Sequence, residues 1–222
     1  MSAEPSSYTI SIDQIKITDM IFTDTIDLSI NTDKATLAGF DLKIACNPQF
    51  LDILEVLPGE LYDSCQWDFF NARQAGNPTK EKMPFTIWQI VALADMTVDD
   101  KKPLCFSLDK KSTLVRLVIS NQFLKEVPDT VVPIFFLWED CTDNTISSIS
   151  GNSLNLSNKV IESFKIIPSI TGDPFPSSKG TSGNCIKSKS INKPKRNIDF
   201  YNGGIMFELD VGLESSDTAN RE

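Results

Sequence analysis

The segment Leu37–Gly59 constrains this chain more than any other. Phe40, Leu42 and Ile44 alternate with Asp41, Lys43 and Ala45. That period of two is the pattern of a β-strand with one face in a core and the other turned away from it. Asn47-Pro48 ends the run, Leu51–Leu57 forms a second apolar stretch, and Pro58-Gly59 supplies a turn signal. A strand, a break and a second short strand leave little room for a helix. The same alternation recurs along the chain. Tyr8, Ile10 and Ile12 share one parity and Ile15 and Ile17 the other, which predicts a kink near Asp13-Gln14. Further strands are expected over Ile26–Ile30, Cys65–Arg73, Thr86–Ala94, Leu114–Ile119, Val131–Trp138 and Ser153–Ile167. Turn-rich stretches separate them and no helical period competes, so the pattern predicts an all-β sandwich of about nine strands.

The Leu37–Gly59 segment resembles the cohesin family. Its members often read G-F-D-(apolar)-x-(apolar)-x-Y-(D/N)-P-x-x-L-x-(apolar)-x-x-V-x-P-G here. Gly39, Phe40, Asp41, Leu42, Ile44, Asn47, Pro48, Leu51, Ile53, Val56, Pro58 and Gly59 fit, and Cys46 stands where the aromatic is usual. The stretch Asp143–Leu154 adds to the likeness, which covers roughly residues 8–167. It is similar to the cohesin-like domains of bacteria without cellulosomes. The resemblance implies a cohesin-like jelly-roll sandwich that is non-catalytic, extracellular or at the cell surface, and binds a protein partner of the dockerin type. It also implies a binding face on the third, fifth, sixth and eighth strands, here about 37–45, 65–73, 86–94 and 131–138. Asp41 matches the family's polar contact position, and Lys43, Asp68 and Gln89 are the other expected partner contacts.

Composition points the same way. The chain has no histidine, which removes the commonest general base and transition-metal ligand together. A net charge of −9 argues against nucleic acid, whose phosphates demand a basic surface. Serine-hydrolase motifs and phosphate-cradling loops are missing. The expectation is therefore no enzyme and no cofactor, with one reservation for structural calcium. Asp140, Asp143 and Asn144 offer hard oxygen ligands within one loop, although an ordinary solvated turn reads the same way.

A second function class remains open. Trp67 and Trp88 would stack on a sugar if they shared an exposed face, as in a carbohydrate-binding module binding polysaccharide. A structural cell-surface domain is a third reading. Two segments, Leu114–Ile119 and Val131–Trp138, are apolar on both parities. Such strands are either covered on both sides or carry an exposed apolar strip used for binding.

The five cysteines lack the close pairs that zinc needs. In an exported chain Cys65, Cys105, Cys141 and Cys185 are candidates for disulfides, and Cys46, inside its strand, is the odd one out. Otherwise all five are reduced and partly buried. No apolar run approaches a membrane span, and residues 1–7 show no signal-peptide pattern. The expected organisation is a disordered 1–7, a sandwich over 8–167, a Gly/Pro/Ser-rich and basic linker over 168–196, a β-hairpin over 197–211 turning at Asn202-Gly203, and a disordered tail over 212–222.

Overall fold

A computed structural model describes residues 8–19, 21–32, 37–60, 62, 67–76, 85–94, 111–121, 131–138, 143–148, 153–158, 161–167, 177–181 and 193–208. The strands are β1 (Tyr8–Ile12), β2 (Gln14–Ile17), β3 (Phe22–Thr32), β4 (Gly39–Cys46), β5 (Asp52–Pro58), β6 (Phe69–Gly76), β7 (Thr86–Leu93) and β8 (Ser112–Asn121). After them come β9 (Val131–Phe136), β10 (Thr145–Ser147), β11 (Ser153–Ser157), β12 (Ile161–Ile167), β13 (Ser177–Thr181), β14 (Lys193–Tyr201) and β15 (Gly203–Phe207).

One layer runs β6–β7–β4–β9–β15–β2 and the other β11–β14–β1–β3–β8–β5. Strand β10 joins them, pairing with β4 on one side and β11 on the other. The architecture is a jelly-roll β-sandwich. Strands β12 and β13 form a separate antiparallel pair. The core lies between the layers, where Phe40, Leu42, Ile44, Ile90, Ile134 and Phe136 of the first meet Ile10, Ile26, Leu28, Ile30, Leu117 and Ile119 of the second. Alternation along β4 and β3 fills it: Phe40, Leu42 and Ile44 of one and Ile26, Leu28 and Ile30 of the other point inward at every second place.

The kink read at Asp13 is real, and it is a change of layer. Strand β1 belongs to the second sheet and β2 to the first, with Asp13 between them. The C-terminal segment copies this path. Strand β14 pairs in parallel with β1 and β11, and β15 pairs with β2 and β9. Residues 197–207 are therefore not a hairpin set apart from the sandwich, because β14 and β15 each pair with sandwich strands and not with each other. Asn202-Gly203 reads in the sequence as a turn that sends the chain back; in the structure it carries the chain from one sheet to the other. The buried Asn202 carboxamide accepts the Phe136 N–H (3.0 Å), and the Gly204 N–H reaches the Asp13 carbonyl (3.1 Å). Glycine is required here. A Cβ on Gly203 would stand 2.2 Å from the Ile12 carbonyl oxygen, and Gly204 holds φ 131°. Of the expected linker, β13 and the start of β14 are strands, and the rest lies outside the described residues along with 1–7 and 209–222.

Cys46 ends β4 as a buried free thiol that donates to the Leu51 carbonyl (3.4 Å). Burial, and secondarily the Asp52 carboxylate, push its pKa up to about 12. Cys65, Cys105, Cys141 and Cys185 lie outside the described residues.

Two expectations follow. Gly203→Ala should destabilise the domain by more than about 1 kcal/mol in chemical denaturation, because neither crossing chain can give way. An unfolded thiol ionises from about pH 8.5, whereas folded Cys46 stays protonated. The unfolded state then binds fewer protons, so stability falls as pH rises from there towards 12. Denaturation at pH 8, 9, 10 and 11 should show this decline, with a shallower slope in Cys46→Ala.

Candidate protein-binding face

The expected binding face is assembled from adjacent strands: β6, β7, β4 and β9 are consecutive neighbours. Strand β6 starts four residues later than the segment expected from Cys65, because Trp67 is drawn into the core beside Phe40 (ring centroids 5.7 Å). The outward row of each strand follows from register. Phe69, Asn71 and Arg73 of β6 stand opposite Leu93, Val91 and Gln89 of β7. Gln89 stands opposite Lys43, and Val91 opposite Asp41.

A chain of polar contacts crosses these strands. Arg73 donates an Nη2–H to Gln89 Oε1 (3.0 Å), and Gln89 Nε2 donates to both Asp41 carboxylate oxygens (3.2 and 3.3 Å). Arg73 is exposed, whereas Gln89 and Asp41 are half-buried. Leu93 ends the β7 row with 36% of its surface open, the one exposed large apolar side chain among the described residues of this face. Each polar group is held by its neighbour on a rigid sheet, so little side-chain freedom is left to lose on binding.

Lys43 and Asp68 differ from expectation. Lys43 is only 8% exposed, and its ammonium pairs with Asp143 at 2.8 Å, so it is not a surface contact. Asp68 precedes β6 and is half-buried; its backbone N–H donates to the Ala94 carbonyl (3.2 Å). Arg73 was missed by sequence reasoning, although its parity with Phe69 and Asn71 was a readable signal.

Asn144 has a structural task. Strand β4 pairs with β9 through residues 44–46 and with β10 through residues 39–41. At the gap between them, Asn144 Oδ1 accepts the Lys43 N–H (2.8 Å) and Asn144 Nδ2 donates to the Leu137 carbonyl (2.7 Å). The Leu137 N–H closes the set on the Lys43 carbonyl (2.9 Å). One carboxamide thus replaces a missing ladder rung. It is reached from φ 56°, a left-handed conformation that asparagine tolerates better than most residues. Asp143 and Asn144 are therefore already engaged, and Asp140 lies outside the described residues. Among the described residues no group of three or more acidic or cysteine side chains is placed to hold a metal.

Beyond Lys43 the outward side turns apolar and closed. Ala45, Ile87, Phe135 and Leu137 form one buried cluster with Phe85 against it. The doubly apolar strand β9 is thus covered on both faces at its Phe135 end, the first of its two readings, while Val131 and Pro133 on the outward side are half-buried. The sugar-stacking reading loses its platform. Trp67 is 4% exposed, and Trp88 stands opposite the inward-facing Ile44 and packs against the core. No helix among the described residues is long and apolar enough to cross a membrane.

No protein-family model and no curated protein matches the sequence. Solved structures match the fold. A cohesin–dockerin complex of type I from Clostridium thermocellum aligns at 11% identity with TM-score 0.51, over 91% of this chain and 99% of that one. A second from the same organism aligns at 14% and 0.51, over 94% and 97%. The sixth cohesin of scaffoldin B from Acetivibrio cellulolyticus, solved with a dockerin, aligns at 8% and 0.50, over 91% and 100%. The fold is cohesin-like.

Asn144→Ala should leave the buried Lys43 N–H and Leu137 carbonyl without partners, at about 1–3 kcal/mol each. Denaturant midpoints would show the loss, and Asn144→Asp, which keeps the acceptor but not the donor, should recover part of it.

Proposed function

We propose that this chain is a non-catalytic module that binds a protein partner through the outward face of β6, β7 and β4, and that the partner is dockerin-like. The observation that carries this is the Arg73–Gln89–Asp41 chain beside the open Leu93, a prepaid polar strip with an apolar end. It supports docking of a folded surface rather than a small molecule, because it lies on a sheet face instead of in a cleft. The cohesin-like fold adds support, since structures of that fold have been solved with dockerins on them. An extracellular or cell-surface setting belongs to the same reading. Energetically the anchor is Arg73, an exposed arginine whose orientation Gln89 already fixes.

Titration calorimetry of the full chain against a panel of purified type I and type II dockerins tests this. At least one should bind, and Arg73→Ala should weaken it by about 2 kcal/mol, roughly 30-fold. Leu93→Asp should weaken it as well. Tyr201→Ala, exposed on the opposite layer, should not. A folded wild-type chain that binds no dockerin, or a Tyr201→Ala loss equal to that of Arg73→Ala, overturns the proposal.

A further inference from the structure

Lys43 and Asp143 are an unusual pair for the outward side of a sheet. Extending the β4–β10 register, in which Thr145 faces Asp41, by two places sets Asp143 against Lys43. The two side chains are 10% and 6% exposed, with Nζ 2.8 Å from Oδ1. Neither can swing away, because Asn144 and Leu137 pin the backbones on both sides of the contact. Their surroundings are dry. Ala45 lies two residues further along the same side of β4, and with Ile87, Phe135 and Leu137 it forms a cluster no member of which is more than 4% exposed. A second carboxylate, Asp41, lies two residues back on that side, oriented by Gln89.

A buried ion pair contributes little net stability, because desolvating two charges offsets most of their attraction. Passing one proton from the ammonium to the carboxylate removes both charges. It leaves a neutral amine, which is a nucleophile, against a neutral carboxyl group, which is an electrophile. Fixed proximity makes their reaction effectively unimolecular. We propose that Lys43 and Asp143 condense to an intramolecular isopeptide bond. The Nζ lone pair attacks Cγ of Asp143, forming the C–N bond and a tetrahedral centre. Asp41 takes one proton from nitrogen and returns it to the departing hydroxyl, which leaves as water. The sum is one ammonium and one carboxylate giving one secondary amide and one water, with no oxidant or reductant. The product retains a polar N–H and C=O but no charge, and hydrolysis would need water at a carbon that the cluster keeps dry. The bond would close a covalent loop between β4 and the start of β10.

Mass spectrometry of the full chain, denatured and fully reduced, decides the matter. The expected mass is that of the sequence less one water, with a branched tryptic peptide joining Lys43 to Asp143. Lys43→Arg and Asp143→Ala should each restore the full sequence mass. Followed by mass from the moment of synthesis in a cell-free reaction, where both chains start unlinked, Asp41→Asn should acquire the bond at least 10-fold more slowly than the wild type. An intact wild-type mass equal to the sequence overturns the proposal and leaves a plain ion pair. Loss of water mapping to a succinimide within one peptide also overturns it. Bond formation in Asp41→Asn at the wild-type rate overturns the relay assigned to Asp41.

Discussion

The carboxamide of Asn144 is the contact on which the first layer depends. Strand β4 is the central element of that layer, and its edge is shared by two partners that do not meet, β9 and β10. Wherever a sheet edge changes partner, backbone groups are stranded, and stranded groups out of water are costly. Asn144 reaches into the break and satisfies both. Only a side chain with a donor and an acceptor on one carbon can do this, and only a residue that accepts φ 56° can deliver it from that place in the chain. The Lys43–Asp143 contact is a by-product, since holding Asn144 against the Lys43 backbone puts the preceding carboxylate beside the Lys43 side chain.

The second device is the paired crossing of the ends. Two stretches of chain switch layers together, β1–β2 and β14–β15, and tie one sheet to the other. The contact between them is so close that it excludes a Cβ on Gly203.

Much of this was legible in the sequence, for physical reasons. A strand buried on one side must alternate, so β1, β3 and β4 declare themselves, and a parity change such as that at Asp13 has to be a kink. A strand apolar on both parities, as β9 is, must be covered twice or be sticky. What was not legible depended on partners distant in the chain. Asn202-Gly203 is a strong local hairpin signal, yet the glycines are needed because β1 passes within contact distance, which no local pattern reveals. Lys43 has the parity of a surface residue, and only the tertiary arrangement of Asp143 and the Phe135 cluster shows that it is buried. Trp67 has the composition of a binding platform but sits ahead of its strand, where the chain turns into the core against Phe40. Arg73 is readable by parity alone, from its place in one row with Phe69 and Asn71.

The parallel pairing of β1 with β14 also decides how the domain would respond to force. Tension applied through Tyr8 at one end and Glu208 at the other would pull these strands along their length in opposite senses. Every hydrogen bond between them is then loaded at once in shear rather than opened one after another like a zip. The β2–β15 pair repeats the arrangement in the other layer, beyond the crossing where Gly203 packs against the Ile12 carbonyl. A module strung between a surface and a load would be clamped by the first and last strands of its sandwich.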